Sequence, residues 1–220
     1  MNDAPPCILW DWNGTLLDDT AAALATLNEM IAARGGAPID RAFYLDNFAF
    51  PVRPFYARIG IVARDEADWN AIAREYHEVY ARQPKALNRE AKAALGAARK
   101  AGCRQAIVSA LRQDLLDEQT AAYGVAEFFD AVCGSDNLHG ASKVESARAL
   151  LRTLRAGRAP APRFVLIGDA LHDKEVADAL GIDCALCAQG SHAAGRLRAA
   201  APTYDTLMDA VRAVLHLPLL

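Results

Sequence analysis

The chain has 220 residues, of which 53% are hydrophobic and 23% are charged, a composition typical of folded globular proteins and not of disordered ones. Its 24 Lys and Arg residues and 27 Asp and Glu residues give a formal net charge of −3, and no basic cluster indicates a nucleic-acid partner. No apolar segment approaches the length of a membrane span, and the N-terminus lacks the features of a secretion signal. The number of cysteines, five, is odd, which indicates reduced thiols. We therefore expect a cytoplasmic protein with no nucleic-acid or membrane partner.

The first clear structural pattern is the apolar run Cys7–Trp10, which predicts a buried strand. Asp11 follows this run directly, and Gly14 and Thr15 then favour a tight turn, because glycine permits unusual backbone angles and threonine bonds free backbone amides. Asp11 is thus predicted at the carboxyl end of a strand, where open α/β sheets place their sites. The alternative is that Asp11 only caps a turn.

Residues 18–84 have a different character. Residues 18–34 are rich in Ala and Leu and predict a helix that ends at Gly35-Gly36, and residues 65–82 predict a second helix that ends before Pro84. The segment between them is rich in aromatic residues and proline and contains no strand-like run. These residues predict a helical insertion between the first strand and the remainder of a sheet.

From residue 88 onward, helical and strand-like segments alternate. The predicted strands are 105–110, 131–133, 164–167 and 184–187, and the predicted helices are 90–101, 113–122, 143–154, 174–180 and 204–215, with a loop at 157–162. Strands separated by helices indicate right-handed crossovers and a parallel sheet. The predicted fold class is therefore α/β, a doubly wound parallel sheet made of residues 1–17 and 85–220, with a helical cap made of residues 18–84.

Polar side chains occur at the ends of three predicted strands, at Asp11, Ser109 and Asp169. A parallel sheet gathers these ends at one edge, so the three side chains are expected to converge. Asp173 follows Asp169 by one helical turn, and Lys143 lies at a predicted helix start. Each of these residues also has an ordinary structural interpretation: Ser109 as a strand-end cap, Lys143 as a solvated helix-end residue, and Asp173 as a first-turn carboxylate that the helix dipole favours.

In four motifs, which occur in the same order, the chain resembles the haloacid dehalogenase-like (HAD) superfamily: Asp11-Trp12-Asn13-Gly14-Thr15, Ser109, Lys143 and Gly168-Asp169-Ala170-Leu171-His172-Asp173. The family patterns are Asp-x-Asp-Gly-Thr, a Ser or Thr, a Lys, and Gly-Asp-x-x-x-Asp. The resemblance covers nearly the whole chain. It implies a Rossmann-like core and a helical cap that closes over the site, in the manner of the phosphoglycolate phosphatases.

The resemblance also implies a chemistry. Mg²⁺ would be held by Asp11, by the main-chain carbonyl of Asn13 and by Asp169, with Asp173 binding it directly or through a water. Two carboxylates and a carbonyl form the hard oxygen site that suits this ion. Asp11 would attack the phosphorus atom of a small phosphorylated metabolite, and water would then hydrolyse the aspartyl-phosphate.

The remaining implied contacts hold the substrate. Phosphoryl oxygens would be bound by the side chains of Ser109 and Lys143 and by the backbone at Gly14, Thr15 and Ala110. Arg53, in the proline-rich and aromatic part of the insertion, is a candidate to bind a carboxylate at the other end of the substrate. The alternative for Arg53 is an exposed residue beside a helix start.

Asn13 is the position at which the chain departs from the family pattern. Phosphatases of the family usually have an Asp here, which protonates the leaving group and later activates water, and an amide does not titrate. Such acid–base help is typically worth about a hundred- to ten-thousand-fold in rate, or roughly 3–5 kcal/mol. Slow hydrolysis of esters with good leaving groups is therefore expected. The alternative is a protein that binds a phosphate ligand in the same pocket with little turnover.

Overall fold

The computed structural model describes residues 5–135, 143–156 and 163–216. The predicted loop at 157–162 lies outside the described residues. Within the described ranges, no helix combines the length and the apolar character that crossing a membrane requires. All five cysteines fall inside these ranges, and none of them forms a disulfide.

A parallel sheet forms the centre of the molecule. In chain order the strands of the described residues are β1 (Cys7–Trp10), β2 (Leu17–Asp18), β3 (Ala86–Leu87), β4 (Arg104–Arg112), β5 (Ala131–Ser135), β6 (Phe164–Gly168), β7 (Asp183–Cys187) and β8 (Thr203–Tyr204). Six of them form the main sheet in the order β5-β4-β1-β6-β7-β8, and every neighbouring pair is parallel. The predicted α/β fold with a parallel sheet is confirmed.

Helices cover the sheet and form the insertion. They are α1 (Thr20–Ala33), α2 (Arg41–Asn47), α3 (Val52–Arg58), α4 (Glu66–Arg82), α5 (Ala91–Lys100), α6 (Gln113–Ala122), α7 (Val144–Arg155), α8 (Leu171–Leu180), α9 (Ala194–Arg198) and α10 (Leu207–Val214), with a short 3₁₀ helix at Ala126–Phe128. The predicted bounds of α6 are confirmed. The start predicted for the last helix, at residue 204, was wrong: Thr206 caps α10 by accepting a hydrogen bond from the amide of Asp209, and the residues before it pair as β8.

The side chains of β1 alternate between two apolar clusters, one on each face of the sheet. Ile8 and Trp10 lie in the cluster that includes α5 and α10, and Cys7 and Leu9 lie in the cluster that includes α7 and α8. All four residues are buried. Successive residues of a strand point to opposite faces, so a fully apolar strand requires helices on both faces. This arrangement makes the sheet doubly wound.

The insertion has an apolar cluster of its own. Every member of that cluster lies between residues 22 and 80, on or beside α1, α2, α3 and α4. The segment 37–61, for which no helix was predicted, contains α2 and α3. The chain enters and leaves the insertion beside one short antiparallel pair, in which Leu17 faces Leu87 and Asp18 faces Ala86. Whether the cap ends at residues 18 and 84 stays a prediction.

Candidate active site

The turn after β1 presents Asp11 at the edge of the sheet. The amide of Asp11 donates a hydrogen bond to the carbonyl of Ile167 on β6 at 2.9 Å, which extends the pairing of β1 by one residue. Gly14 has φ = +77°, and a Cβ atom at this position would lie 2.4 Å from Oδ2 of Asp169. Both the backbone angle and the close approach require glycine here. The Thr15 hydroxyl then lies 3.3 Å from Oδ2 of Asp11 and 3.2 Å from Oδ1 of Asp169.

Asp169 and Asp173 lie at the end of β6 and in the first turn of α8. Oδ2 of Asp173, in the first turn of α8, accepts hydrogen bonds from the amide of Asp169 at 3.1 Å and from that of the N-cap residue Ala170 at 3.0 Å, which completes the cap of α8. This cap starts α8 three residues before the predicted residue 174. Oδ2 of Asp169 accepts from both the amide and the hydroxyl of Ser191, each at 2.6 Å. Both carboxylates are therefore held in fixed orientations.

These carboxylates converge with Asp11 in a group that fits a divalent cation. One oxygen from each of Asp11, Asp169 and Asp173 lies within 4.8 Å of the others, and all three residues are buried. Burial, together with the charge of Asp173, raises the pKa of Asp169 to about 6. Burial also raises the pKa of Asp11, against the opposing effect of Lys143. Buried oxygen ligands with an excess of negative charge suit Mg²⁺.

Lys143 joins the same group from the residue immediately before α7. Its Nζ atom donates to Oδ1 of Asp11 at 2.5 Å and to Oδ1 of Asp173 at 2.6 Å, and the residue is only 5% exposed. Burial alone lowers the pKa of Lys143, but the charges of the two carboxylates outweigh it and keep the pKa above its ordinary value. Lys143 is therefore a charged residue of the buried site, and the alternative of a solvated helix end was wrong.

Ser109 lies where the regular pairing of β4 ends, since the register between β4 and β5 shifts between Val108 and Arg112. Its side chain is buried, and its Oγ atom accepts a hydrogen bond from the amide of Leu111 at 3.1 Å. Ser109 and Ala110 line the same cavity as the carboxylates and Lys143. Residues from three different strand ends thus converge as predicted.

Asn13 has two partners that the sequence did not indicate. Its Nδ2 atom donates to Oδ2 of Asp19 at 2.7 Å and to the hydroxyl of Tyr80 at 3.0 Å, so both amide hydrogens are used. Asp19 also accepts from the amide of Gly14 at 2.7 Å and from the hydroxyl of Tyr80. It is 6% exposed, and burial raises its pKa. No local pattern marks this pair, because Asp19 and Tyr80 are 61 residues apart.

These residues line one cavity of about 170 Å³ between the sheet edge and the insertion. Its floor is formed by the polar residues Asp11, Asn13, Ser109, Lys143, Asp169 and Asp173. Its opposite wall, which we call the aromatic roof, is formed by Tyr44, Phe48, Tyr56, Trp69, Tyr76 and Tyr80. The cavity therefore has a charged end and an apolar end.

Hydrogen bonds hold the insertion against the sheet edge. Nη1 of Arg196, on α9, donates to the carbonyl of Leu45 at 2.8 Å and to that of Phe48 at 3.0 Å. The amide of Ala193 donates to the same Leu45 carbonyl at 3.1 Å. Leu45 and Phe48 belong to the end of α2, so this contact fixes one side of the aromatic roof over the floor.

Arg53 does not line this cavity. Its guanidinium is paired with Glu66, 5.4 Å from the centre of the Trp69 ring, and its side chain is 42% exposed. It lies on α3, whose buried residues Phe55 and Tyr56 face the interior of the insertion. The predicted contact between Arg53 and the substrate therefore has no support in this geometry, and the alternative of an exposed arginine beside a helix start agrees with it.

Comparison with known families gives a match over most of the chain. Residues 8–187 match the model of the family described as haloacid dehalogenase-like hydrolase. The matched span includes all the floor residues of the cavity. No relative was found among curated proteins.

Solved structures share the fold at low sequence identity. A predicted phosphatase from Clostridium acetobutylicum is similar with a TM-score of 0.80 and 16% identity, over 98% of this chain and 100% of that one. A predicted phosphoglycolate phosphatase from Haemophilus somnus 129pt gives 0.72 and 15%, over 97% and 99%. Protein Tyrosine Kinase A (PtkA) from Mycobacterium tuberculosis gives 0.75 and 23%, also over 97% and 99%. These structures carry the names of phosphatases and of a kinase, so the structural similarity is evidence of the fold and not of one activity.

Proposed function

The chain belongs to the haloacid dehalogenase-like hydrolase family, and on this premise we propose that it is a Mg²⁺-dependent phosphatase that acts on a small phosphorylated metabolite through an aspartyl-phosphate on Asp11. The observation that carries this proposal is the convergence of three buried carboxylates and one buried lysine at the floor of one cavity. The likeness to a phosphoglycolate phosphatase adds a precedent for the fold only.

In this proposal the floor residues divide the work. Asp11, Asp169 and the main-chain carbonyl of Asn13 would hold Mg²⁺, with Asp173 binding it directly or through a water. When bound, the cation offsets the charge of the incoming phosphate, so that an anionic nucleophile and an anionic substrate can approach each other. The high density of buried negative charge supports this assignment, because it calls for a positive partner beyond Lys143.

The reaction has two steps. An oxygen of Asp11 bonds to phosphorus while the bond from phosphorus to the ester oxygen breaks, and the ester oxygen takes up a proton from solvent water as the alcohol leaves. A water molecule then attacks the phosphorus of the aspartyl-phosphate, which releases inorganic phosphate and restores Asp11. Ser109, Lys143 and the backbone at Ala110 would hold the phosphoryl oxygens throughout. The position of these three residues around the cavity floor supports this role, whereas the amides of Gly14 and Thr15 already donate to Asp19 and to the carbonyl of Trp12.

The proposal also includes the boundaries of two structural units and a cellular location. Residues 1–17 and 85–220 form the core and residues 18–84 the cap, which the separate apolar cluster of residues 22–80 supports. In this proposal the cap excludes bulk water from the site, which limits side reactions of the bound ester. A cytoplasmic location agrees with five cysteines that form no disulfide.

Asn13 favours a second candidate, a phosphate-binding protein with little turnover. Both hydrogens of the Asn13 amide are donated to Asp19 and Tyr80, and the amide has no proton to transfer. The leaving group and the attacking water therefore lack the help that position 13 usually supplies in this family.

Turnover separates the two candidates. The purified protein is expected to hydrolyse 4-nitrophenyl phosphate, whose leaving group needs little protonation, in the presence of Mg²⁺ and to stop when the metal is chelated. Asp11→Asn is expected to abolish this activity while the circular dichroism spectrum and the Tm show a folded protein. Activity that survives in Asp11→Asn contradicts the mechanism, and tight phosphate binding without turnover favours the second candidate.

A further inference from the structure

The aromatic roof is built from residues that are themselves part of the core of the insertion. Tyr44 is 2% exposed and packs against Phe48, with their ring centres 4.9 Å apart, and Tyr76 stacks on Tyr80 at 5.6 Å. Because the rings support one another, the roof is a preformed wall and not a set of mobile side chains. The part of the substrate beyond the phosphoryl group must lie against it.

The cavity lining is poor in cationic partners for a second negative charge: besides Lys143, its basic side chains in the described part of the chain are the histidines His77 and His172. Among the described residues that line the cavity, Lys143 is the sole lysine or arginine, and its Nζ atom is already bound by Asp11 and Asp173. Asp19, another lining residue, adds a buried carboxyl group close to Tyr80. A carboxylate on the substrate would lose its water here without gaining an unpaired lysine or arginine, which is unfavourable.

The tyrosines of the roof are neutral. Burial raises the pKa of Tyr44 and of Tyr56 well above the ordinary value for a phenol. Neutral rings bind another ring through offset stacking or edge-to-face contact, together with the burial of apolar surface.

We propose that the substrate is a phosphate monoester whose alcohol part carries one uncharged aromatic ring, or an apolar group of that size, and no second anion. This inference rests on the proposed phosphatase function, because it places the phosphoryl group on the floor. It departs from the carboxylate-bearing substrate that Arg53 suggested, since Arg53 lies outside the cavity and is paired with Glu66.

Three esters of primary alcohols test this specificity, because their leaving groups have a similar need for a proton. Benzyl phosphate, ethyl phosphate and 2-phosphoglycolate differ at the group beyond the ester carbon, which is a ring, a methyl group or a carboxylate. We expect kcat/KM for benzyl phosphate to exceed that for ethyl phosphate by about ten- to a hundredfold, mostly through KM, because a buried ring gains apolar burial. 2-Phosphoglycolate is expected to fall below both. A value for 2-phosphoglycolate equal to or above that for benzyl phosphate overturns the inference.

Binding distinguishes a failure of this inference from a failure of the proposed function. Benzylphosphonate, ethylphosphonate and phosphonoacetate form the same series without a bond that can be hydrolysed, and calorimetry with Mg²⁺ gives their Kd values. If no ester is hydrolysed, including 4-nitrophenyl phosphate, the phosphatase proposal fails. In that case, tighter binding of benzylphosphonate than of the other two phosphonates still supports the aromatic roof as the binding wall. Equal or tighter binding of phosphonoacetate overturns the inference whether or not the protein is a phosphatase.

A pair of matched variants adds a charge at two valines of the insertion. Val52 lines the cavity, whereas Val62 is 62% exposed and does not. Val52→Arg is expected to lower KM for 2-phosphoglycolate and raise KM for benzyl phosphate, each by about tenfold, because it supplies the missing cation beside the roof. Val62→Arg is expected to change neither value, and equal effects of the two substitutions would contradict the position assigned to the substrate.

Discussion

The hydrogen-bonded pair Asn13 and Asp19 offers a test in which the two side chains exchange chemistry with little change in shape. Nδ2 of Asn13 lies 2.7 Å from Oδ2 of Asp19, and Tyr80 contacts both. Asn13→Asp alone places a half-buried carboxyl group at this distance from the buried carboxyl group of Asp19, where both are not readily ionised. Asp19 also loses one of its donors, and we expect destabilisation by about 2 kcal/mol, with Tm lower by roughly 4–8 °C.

The effect of the single substitution depends on pH in a defined direction. The proton that the two carboxyl groups share raises the pKa of the pair in the folded state above its value in the unfolded state. Such a group favours folding at low pH, and this contribution is lost as the pH rises. The difference in Tm between Asn13→Asp and the wild type should therefore widen from pH 5 to pH 8.

The exchange Asn13→Asp with Asp19→Asn restores the complementary pair. An Asn at position 19 accepts from the amide of Gly14 through its oxygen and donates its amide hydrogens to the carboxylate at position 13 and to the oxygen of Tyr80. The Tyr80 hydroxyl then donates to position 13, so every donor has an acceptor. We expect the exchange to recover most of the lost Tm and to place a titratable group beside the leaving oxygen. Turnover of ethyl phosphate should rise by about a hundredfold in kcat, equivalent to about 2.7 kcal/mol, and turnover of 4-nitrophenyl phosphate by less.

Thermal melts and separate measurements of kcat and KM check these expectations. A doubly exchanged protein that is no more stable than Asn13→Asp would refute the hydrogen-bond arrangement described for Asn13, Asp19 and Tyr80. A stable exchanged protein without a gain in kcat would refute the idea that the missing acid at position 13 limits turnover.

Three other outcomes follow from the described contacts. Arg196→Ala removes the hydrogen bonds that hold α2 to the sheet edge, so we expect a severalfold higher KM and faster amide hydrogen exchange in α2. The control Arg198→Ala removes an exposed ion pair on α9, the helix that also carries Arg196, and should change neither quantity. Asp169 has a pKa of about 6 and must lose its proton to bind a cation, so the Kd for Mg²⁺ measured by calorimetry should be about tenfold larger at pH 5 than at pH 7. A Kd that does not change with pH would contradict Asp169 as a ligand. Arg53→Ala should leave KM unchanged for both benzyl phosphate and 2-phosphoglycolate, since Arg53 lies outside the cavity, and a selective loss of 2-phosphoglycolate turnover would restore the carboxylate-binding role.

The sequence determined the features that depend on short segments of the chain. The apolar run Cys7–Trp10 specified a strand buried on both faces, because no polar residue interrupts it, and the structure places this strand at the centre of the sheet. The polar residues near the ends of β1, β4 and β6 specified the chemistry of the sheet edge, since parallel strands bring their ends together whatever their distance along the chain. Asp11 and Asp169 are 158 positions apart in sequence, yet this rule predicted their approach.

Only the tertiary structure decided the direction of individual side chains in the insertion and the pairing of residues across it. The contact between Asp19 and Tyr80 depends on how α4 is rotated and packed against α1, which no local pattern specifies. The same packing turned Arg53 towards Glu66 at the surface and gathered aromatic residues from separate segments into one roof. Local propensity fixes where a helix forms, whereas the face it presents to a cavity follows from the combined burial of all its apolar neighbours, which is a property of the whole folded chain.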